Sequence, residues 1–222
     1  VPGMAVEIVD NHTLEAYARR IVAKVERFNK EYSAVTFTEP LPENIRPGHL
    51  IAADEPGPDV HISGCRMSGN RARGLLIGSR GRVIIENNYF HIAGASILFE
   101  GDGNFWFEQS GVRDVTIRNN IFANGNYGSR GWGSACIAVG SGISQRQTSR
   151  YHRNIQVDGN LFRVFDPRIV NLYCVDGFQF SASNRIVRTS DYPATFDPKL
   201  HFVFDQCDHI EIPRQIEMAE QR

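Results

Sequence analysis

Lysine is scarce in this 222-residue chain: of its 24 basic side chains only Lys24, Lys30 and Lys199 are lysine. Net charge is scarce as well, with 24 basic residues against 25 acidic ones and a formal charge of −1. That balance excludes a nucleic-acid binder held by bulk positive charge. Long apolar runs are missing. Stretches such as Ile97-Leu98-Phe99 are a few residues long, against the ~20 that a bilayer span needs, so a soluble protein without a membrane span is expected. Cys65, Cys136, Cys174 and Cys207 form no Cys-x-x-C pair and no Cys/His zinc spacing, so neither a metal nor another cofactor is expected. Each lies in or beside an apolar, strand-like run, which predicts four buried free thiols. Cys207-Asp208-His209 has nothing nearby to complete a metal or nucleophile cluster. The chain opens Val-Pro-Gly-Met without a signal-peptide pattern and reads as a piece of a longer protein, for which an extracellular or periplasmic setting is expected.

What is abundant points to turns. Fifteen Asn stand beside 20 Gly, the two residues that best tolerate left-handed backbone conformation. The other basic residues are 21 Arg, which favour planar bidentate contacts over mobile point charges. Hydrophobic residues at 41% supply one sizeable core. Near the N-terminus, Leu14, Tyr17, Ile21, Val25 and Phe28 recur at helical spacing behind Asn11 and Thr13 as possible caps, which predicts an amphipathic helix over residues 13–30. Five prolines between 35 and 60 then suggest an extended lead-in. Residues 1–58 are thus expected to form an N-terminal segment and 59–222 a second region.

That second region repeats. Val60-His-Ile62-Ser-Gly64-Cys65-Arg-Met67 returns as Val83-Ile-Ile85-Glu-Asn87-Asn88-Tyr-Phe90, Val115-Thr-Ile117-Arg-Asn119-Asn120-Ile-Phe122 and Ile155-Gln-Val157-Asp-Gly159-Asn160-Leu-Phe162. A weaker copy starts at Phe178 and a vestige at Ile210, the starts lying 23, 32, 40, 23 and 32 residues apart. Positions one and three alternate with an outward residue, as a half-buried strand requires. Position five suits a positive φ, and position six would stack Asn side chains into a ladder that satisfies the turn backbone. Position eight returns to the core. A second apolar strand follows in each copy, such as Leu75-Leu-Ile77 or Ile97-Leu-Phe99. Strand, bend, strand and return predict an all-β, right-handed parallel β-helix solenoid behind the one helix. A propeller or sandwich would need hairpin turns of the Asn-Gly type, and only Asn124-Gly125 offers one. Position four holds Glu86, Arg118 and Asp158 in consecutive copies, which rung stacking would line up as an alternating charge ladder.

The longer copies place their extra residues in loops around 101–111, 124–134 and 143–153, and the first and last of these should stack as one wall of a cleft. Trp106, Phe105 and Phe107 offer aromatic faces there beside Glu100, Asp102 and Glu108, with Tyr127 and Trp132 across the rung. Aromatic platforms beside carboxylates and Arg suit a sugar ring. Phe105 and Phe107 are expected to face inward as loop anchors.

Asn70-Arg71-Ala72-Arg73-Gly74-Leu75-Leu76-Ile77, the Val83–Asn88 copy, and Glu100-Gly-Asp102 with Trp106-Phe-Glu108-x-x-Gly111 resemble the later part of the α-1,3-galactosidases of glycoside hydrolase family 110, over residues 34–187. The resemblance implies a right-handed β-helix enzyme that removes terminal α-galactose with inversion, acting on a carbohydrate partner. An Asp-Asp catalytic segment that the family carries upstream has no counterpart here. Inversion needs two carboxyl groups, and Glu108, Asp102 and Glu100 are the candidates, with Trp106, Arg73, His91 and Trp132 as substrate-binding residues. The alternatives are a non-catalytic carbohydrate-binding β-helix and a polysaccharide lyase or epimerase.

Overall fold

The computed structural model describes residues 1–108, 111–128, 133, 135–140, 142–146, 149–193 and 201–220, which are all-β with no α-helix among them. Residues expected to form the N-terminal helix are instead the strand Ala16–Arg27. It is flanked on both sides in an antiparallel sheet ordered Ser33–Phe37, Ala16–Arg27, Ala5–Val9, Leu50–Ala53. The three-and-four spacing misled because the buried residue of the strand is Val22, 3% exposed and outside the expected stripe, whereas Val25 and Phe28 stand 42% and 72% exposed. A helix would have left that stripe without a packing surface, while in the sheet the first half of Ala16–Arg27 pairs with Ala5–Val9 and the second half with Ser33–Phe37. The supposed cap is a tight turn: Asp10 Oδ1 accepts the His12 and Thr13 amides at 2.7 and 3.2 Å.

Three parallel sheets follow. The first holds Val60–Ser63, Arg82–Glu86, Asp114–Arg118, His152–Asp158, Val175–Phe180 and Asp208–Glu211. The second holds Arg66–Ser68, Tyr89–His91, Ile121–Ala123, Leu161–Val164, Arg185–Arg188 and Met218–Glu220. The third holds Leu75–Ile77, Ile97–Phe99, Ile137–Val139, Arg168–Tyr173 and His201–Asp205. Spatial order in each equals chain order, so the chain visits the three sheets in turn and returns one strand further along, a winding compatible with a β-helix. Val60, Val83, Val115, Ile155, Phe178 and Ile210 are in register. Every copy read from the sequence, the vestige included, is therefore a strand of the same sheet.

Position eight supplies the centre of the core: Phe90, Phe122 and Phe162 are fully buried and stack at centroid distances of 5.2 and 4.6 Å. Each such burial stabilises the fold by roughly 1.5–3 kcal/mol. Position six forms the expected ladder, extended by Asn184. Asn88, Asn120 and Asn160 each direct Nδ2 to the Oδ1 of the next Asn at 3.0 Å, and each backbone N–H donates to the same oxygen. Position five takes the positive φ expected of it, from 55° to 66° at Gly64, Asn87, Asn119 and Gly159. Glycine at 159 also leaves space for the Asn119 side chain, whose Oδ1 would lie 2.6 Å from a Cβ there.

The charge ladder forms at Glu86, whose carboxylate accepts from Arg118 Nε at 2.6 Å and meets His61 Nε2 at 2.8 Å. Arg118 first and His61 second hold the Glu86 carboxyl below the usual carboxylate range. Asp158 is in register with Arg118, but Ser183 and Ser181, rather than the arginine, do most to lower its pKa. Replacing Glu86 by Arg places like charges beside Arg118 and should lower the melting temperature slightly, by less in high salt. Because the folded-state pKa of Glu86 is depressed, the contribution it removes is present above the ordinary carboxylate pKa and is lost as pH falls through the folded value. Melting curves of both forms at pH 7 and pH 3 check this, the difference shrinking in acid.

The thiols depart from expectation. All four cysteines are free, but only Cys136 and Cys174 are buried; Cys207 is intermediate and Cys65 exposed. Cys65 stands in the first copy, whose Asn88-facing amide is satisfied while its side chain has no earlier described strand to pack against.

Candidate active site

The third parallel sheet turns Ile97 and Phe99 inward, fully buried, so Leu98 faces out in register with Leu76 and Ala138. The strand ends at Phe99, and Glu100 opens the first long loop. Local chemistry shapes that loop. Asp102 accepts the backbone N–H groups of Asn104, Phe105 and Trp106, and those bonds hold its carboxyl below the usual range, the Trp106 amide contributing most. An Asp so engaged builds the loop. Phe105, Trp106 and Phe107 all project outward, 72%, 71% and 69% exposed. The inward anchoring expected of Phe105 and Phe107 is therefore wrong: Phe107 sits at φ 58°, and Phe105 packs edge-on against Trp106 at 4.7 Å instead of entering the core.

Glu100 is half-buried, and burial pushes its pKa up. The Asp102 and Glu108 carboxylates push the same way, and only Arg73 opposes them. The structure thus brings Arg73, Asp102 and Glu108 within electrostatic reach of Glu100, with Trp106 on the same loop. The other two candidates differ. His91 ends its strand before Ile97–Phe99 begins, at the opposite end from Glu100; its Nδ1 lies 2.9 Å from Ala123 O and its ring stacks on Tyr127 at 4.9 Å. Trp132 lies outside the described residues. Cavities of about 410, 540 and 480 Å³ lie away from the carboxylates, lined instead around Ile186, Pro56 and Gln156. Phe105, Trp106 and Phe107 give the Glu100 loop an exposed aromatic face.

The two long loops do stack. Gly142 N donates to Gly101 O at 3.1 Å, and the Tyr151 hydroxyl reaches Gly101 O and Gly140 O at 3.4 and 3.2 Å. Neither Tyr151 nor His152 stood out in the sequence, because both precede the eight-residue repeat at Ile155, where a loop gives way to the strand His152–Asp158. His152 is fully buried, with Nδ1 accepting the Val112 amide at 3.3 Å and Nε2 bound to Gly140 O at 3.0 Å, so the neutral ring carries its proton on Nε2. Burial pushes its pKa down to about 4 from 6.5. As pH falls below 6.5 the unfolded chain therefore takes the proton first. Roughly 3 kcal/mol of stability should be lost between there and pH 4, and His152→Gln should flatten that part of a plot of melting temperature against pH.

Residues 1–51 match the family model described as GLAA-B beta-barrel domain II, in keeping with the antiparallel strands found there. Over 86% of its length the chain is 38% identical to alpha-1,3-galactosidase A of Shewanella woodyi, of which it covers 31%. It is 34% identical over 95% of its length to alpha-1,3-galactosidase B of Bacteroides thetaiotaomicron, covering 34% of that protein, and 29% identical over 96% to alpha-1,3-galactosidase B of Akkermansia muciniphila, covering 27%. The chain spans about a third of the length of these curated relatives. It is therefore a homologue of the α-1,3-galactosidases, as the Arg-x-Arg-Gly and Trp-x-Glu blocks implied.

Proposed function

We propose that this chain is part of a glycoside hydrolase that removes terminal α-1,3-linked galactose with inversion, built as a right-handed parallel β-helix over residues 59–222 behind an N-terminal segment of residues 1–58. The observation that carries the chemistry is Glu100: it is half-buried, and burial and two neighbouring carboxylates raise its pKa, which makes it the carboxyl of this loop best suited to hold a proton and pass it to the leaving oxygen. Glu108, exposed on the same loop, is the carboxylate placed to activate water or bind a sugar hydroxyl. Asp102 is reassigned from the chemistry to the loop turn. Arg73 binds substrate hydroxyls, and Trp106 offers its face to the apolar side of the galactose ring.

Replacing Trp106 by Ala should weaken binding of methyl α-galactoside about tenfold in titration calorimetry, equivalent to ~1.4 kcal/mol, with little change in melting temperature because the ring is already exposed. Unchanged affinity would remove Trp106 from the site.

A further inference from the structure

We infer that the turn at residues 10–15 of the N-terminal sheet is a positioning element for the Glu100 loop, with Leu14 and Gly103 as its keystone contact. The inference deepens the glycosidase reading and rests on it. Leu14 is buried although its φ is +58°, a conformation that a branched side chain holds only where its surroundings fix it. What it enters is a small cluster with Leu50, Ile143, Tyr151, Tyr173 and Cys174, separate from the main core. Gly103 closes that cluster from the loop side: a Cβ there would lie 2.2 Å from Leu50 Cδ1 and 2.8 Å from Leu14 Cδ2. One residue further on, Asn104 Nδ2 donates to Asn11 O at 3.3 Å, and Asn11 Nδ2 donates to Asn104 Oδ1 at 3.4 Å.

The same turn holds the second loop. Gln145 N donates to His12 O at 3.1 Å, His12 Nδ1 lies 3.0 Å from Ser144 Oγ, Ser149 Oγ donates to Thr13 O at 2.6 Å, and Arg150 N donates to Glu15 Oε1 at 2.6 Å. One six-residue turn thus touches both loops of the wall, on either side of the direct Gly142–Gly101 bond. These contacts fix where Asp102 and Glu108 stand relative to Glu100 and how much water reaches it. The N-terminal sheet is on this account a support for the site, not a separate binding module.

The test is size complementation read at Glu100. In the full protein, Gly103→Ala should push the loop off Leu50 and Leu14. The Glu100 titration midpoint, followed by carbon-13 NMR of its carboxyl, should then fall toward the ordinary carboxylate value. Adding Leu50→Ala removes the 2.2 Å contact and frees space into which the Leu14 methyl can give way, and should bring the midpoint back toward that of the parent. A purely structural role for Gly103 would lower the melting temperature without moving the midpoint, and that result overturns the inference, as does a shift that Leu50→Ala fails to reverse. Should Gly103→Ala not fold, Asn11→Ala, which removes an exposed contact, must move the midpoint in the same direction; no shift overturns the inference equally. In the folded variants kcat for an α-galactoside should fall with KM little changed. A parent protein that neither binds nor hydrolyses α-galactosides would sink the glycosidase reading while leaving the Glu100 midpoints to decide the positioning claim.

Discussion

Replacing Glu100 by Gln should lower the hydrolysis of an α-galactoside by roughly 10²–10⁴-fold, the usual contribution of a positioned proton donor, while binding of the sugar stays within a few-fold. Gln keeps the size and hydrogen-bonding reach of the side chain but has no acidic proton to transfer. A companion measurement fixes the cause. An acid must be protonated to act, so activity should fall as pH rises through the Glu100 midpoint. Arg73 is the neighbour that lowers that midpoint; Arg73→Gln should therefore raise it and carry the alkaline limb of the kcat profile to higher pH. A limb that stays in place, or one that moves down, would mean that the group titrating is not Glu100.

The second large effect concerns the fold. Asn120→Ala should destabilise the protein by about 3–5 kcal/mol, which at this chain length lowers the melting temperature by on the order of 10 °C. Asn120 is 1% exposed, and its side chain accepts from Asn88 N and Asn88 Nδ2 at 3.0 Å while donating to Ile85 O and Asn160 Oδ1 at 2.9 and 3.0 Å. Removing it takes the acceptor from the buried Asn88 amide and one bond each from Asn88 Nδ2, Ile85 O and Asn160 Oδ1, in the copies on either side, and alanine is too short to replace any of them. A loss comparable to that of an exposed alanine substitution would show that the Asn ladder is not what holds the turns.

Why the repeat was legible while the N-terminal sheet was not follows from where each finds its partners. A copy such as Val115-Thr-Ile117-Arg-Asn119-Asn120-Ile-Phe122 carries its alternation, its positive-φ position and its ladder residue in eight consecutive positions, and it stacks on a near-copy of itself. Local pattern and tertiary contact therefore say the same thing. The strand Ala16–Arg27 has no such agreement: its apolar residues fit two periods, and only the presence of Ala5–Val9 and Ser33–Phe37 on its flanks decides between them. The site divides in the same way. Insertion length and composition marked the loop with Glu100, Trp106 and Glu108. The burial of Leu14 at positive φ depends on contacts across about ninety residues of chain, which no periodicity encodes, whereas Asp102 holds its turn through amides two to four residues on, where composition alone does not separate a turn-forming carboxylate from a catalytic one.

The central claim, that Glu100 is the proton donor of an inverting α-galactoside hydrolase, is tested most directly by proton NMR of the methyl β-glycoside of galactosyl-α-1,3-galactose during its first turnovers by the full protein. The account predicts that the galactose released first is the β anomer and that the Glu100→Gln form releases roughly 10²-fold less or lower still. Release of the α anomer first, or turnover undiminished in the Glu100→Gln form, would contradict it.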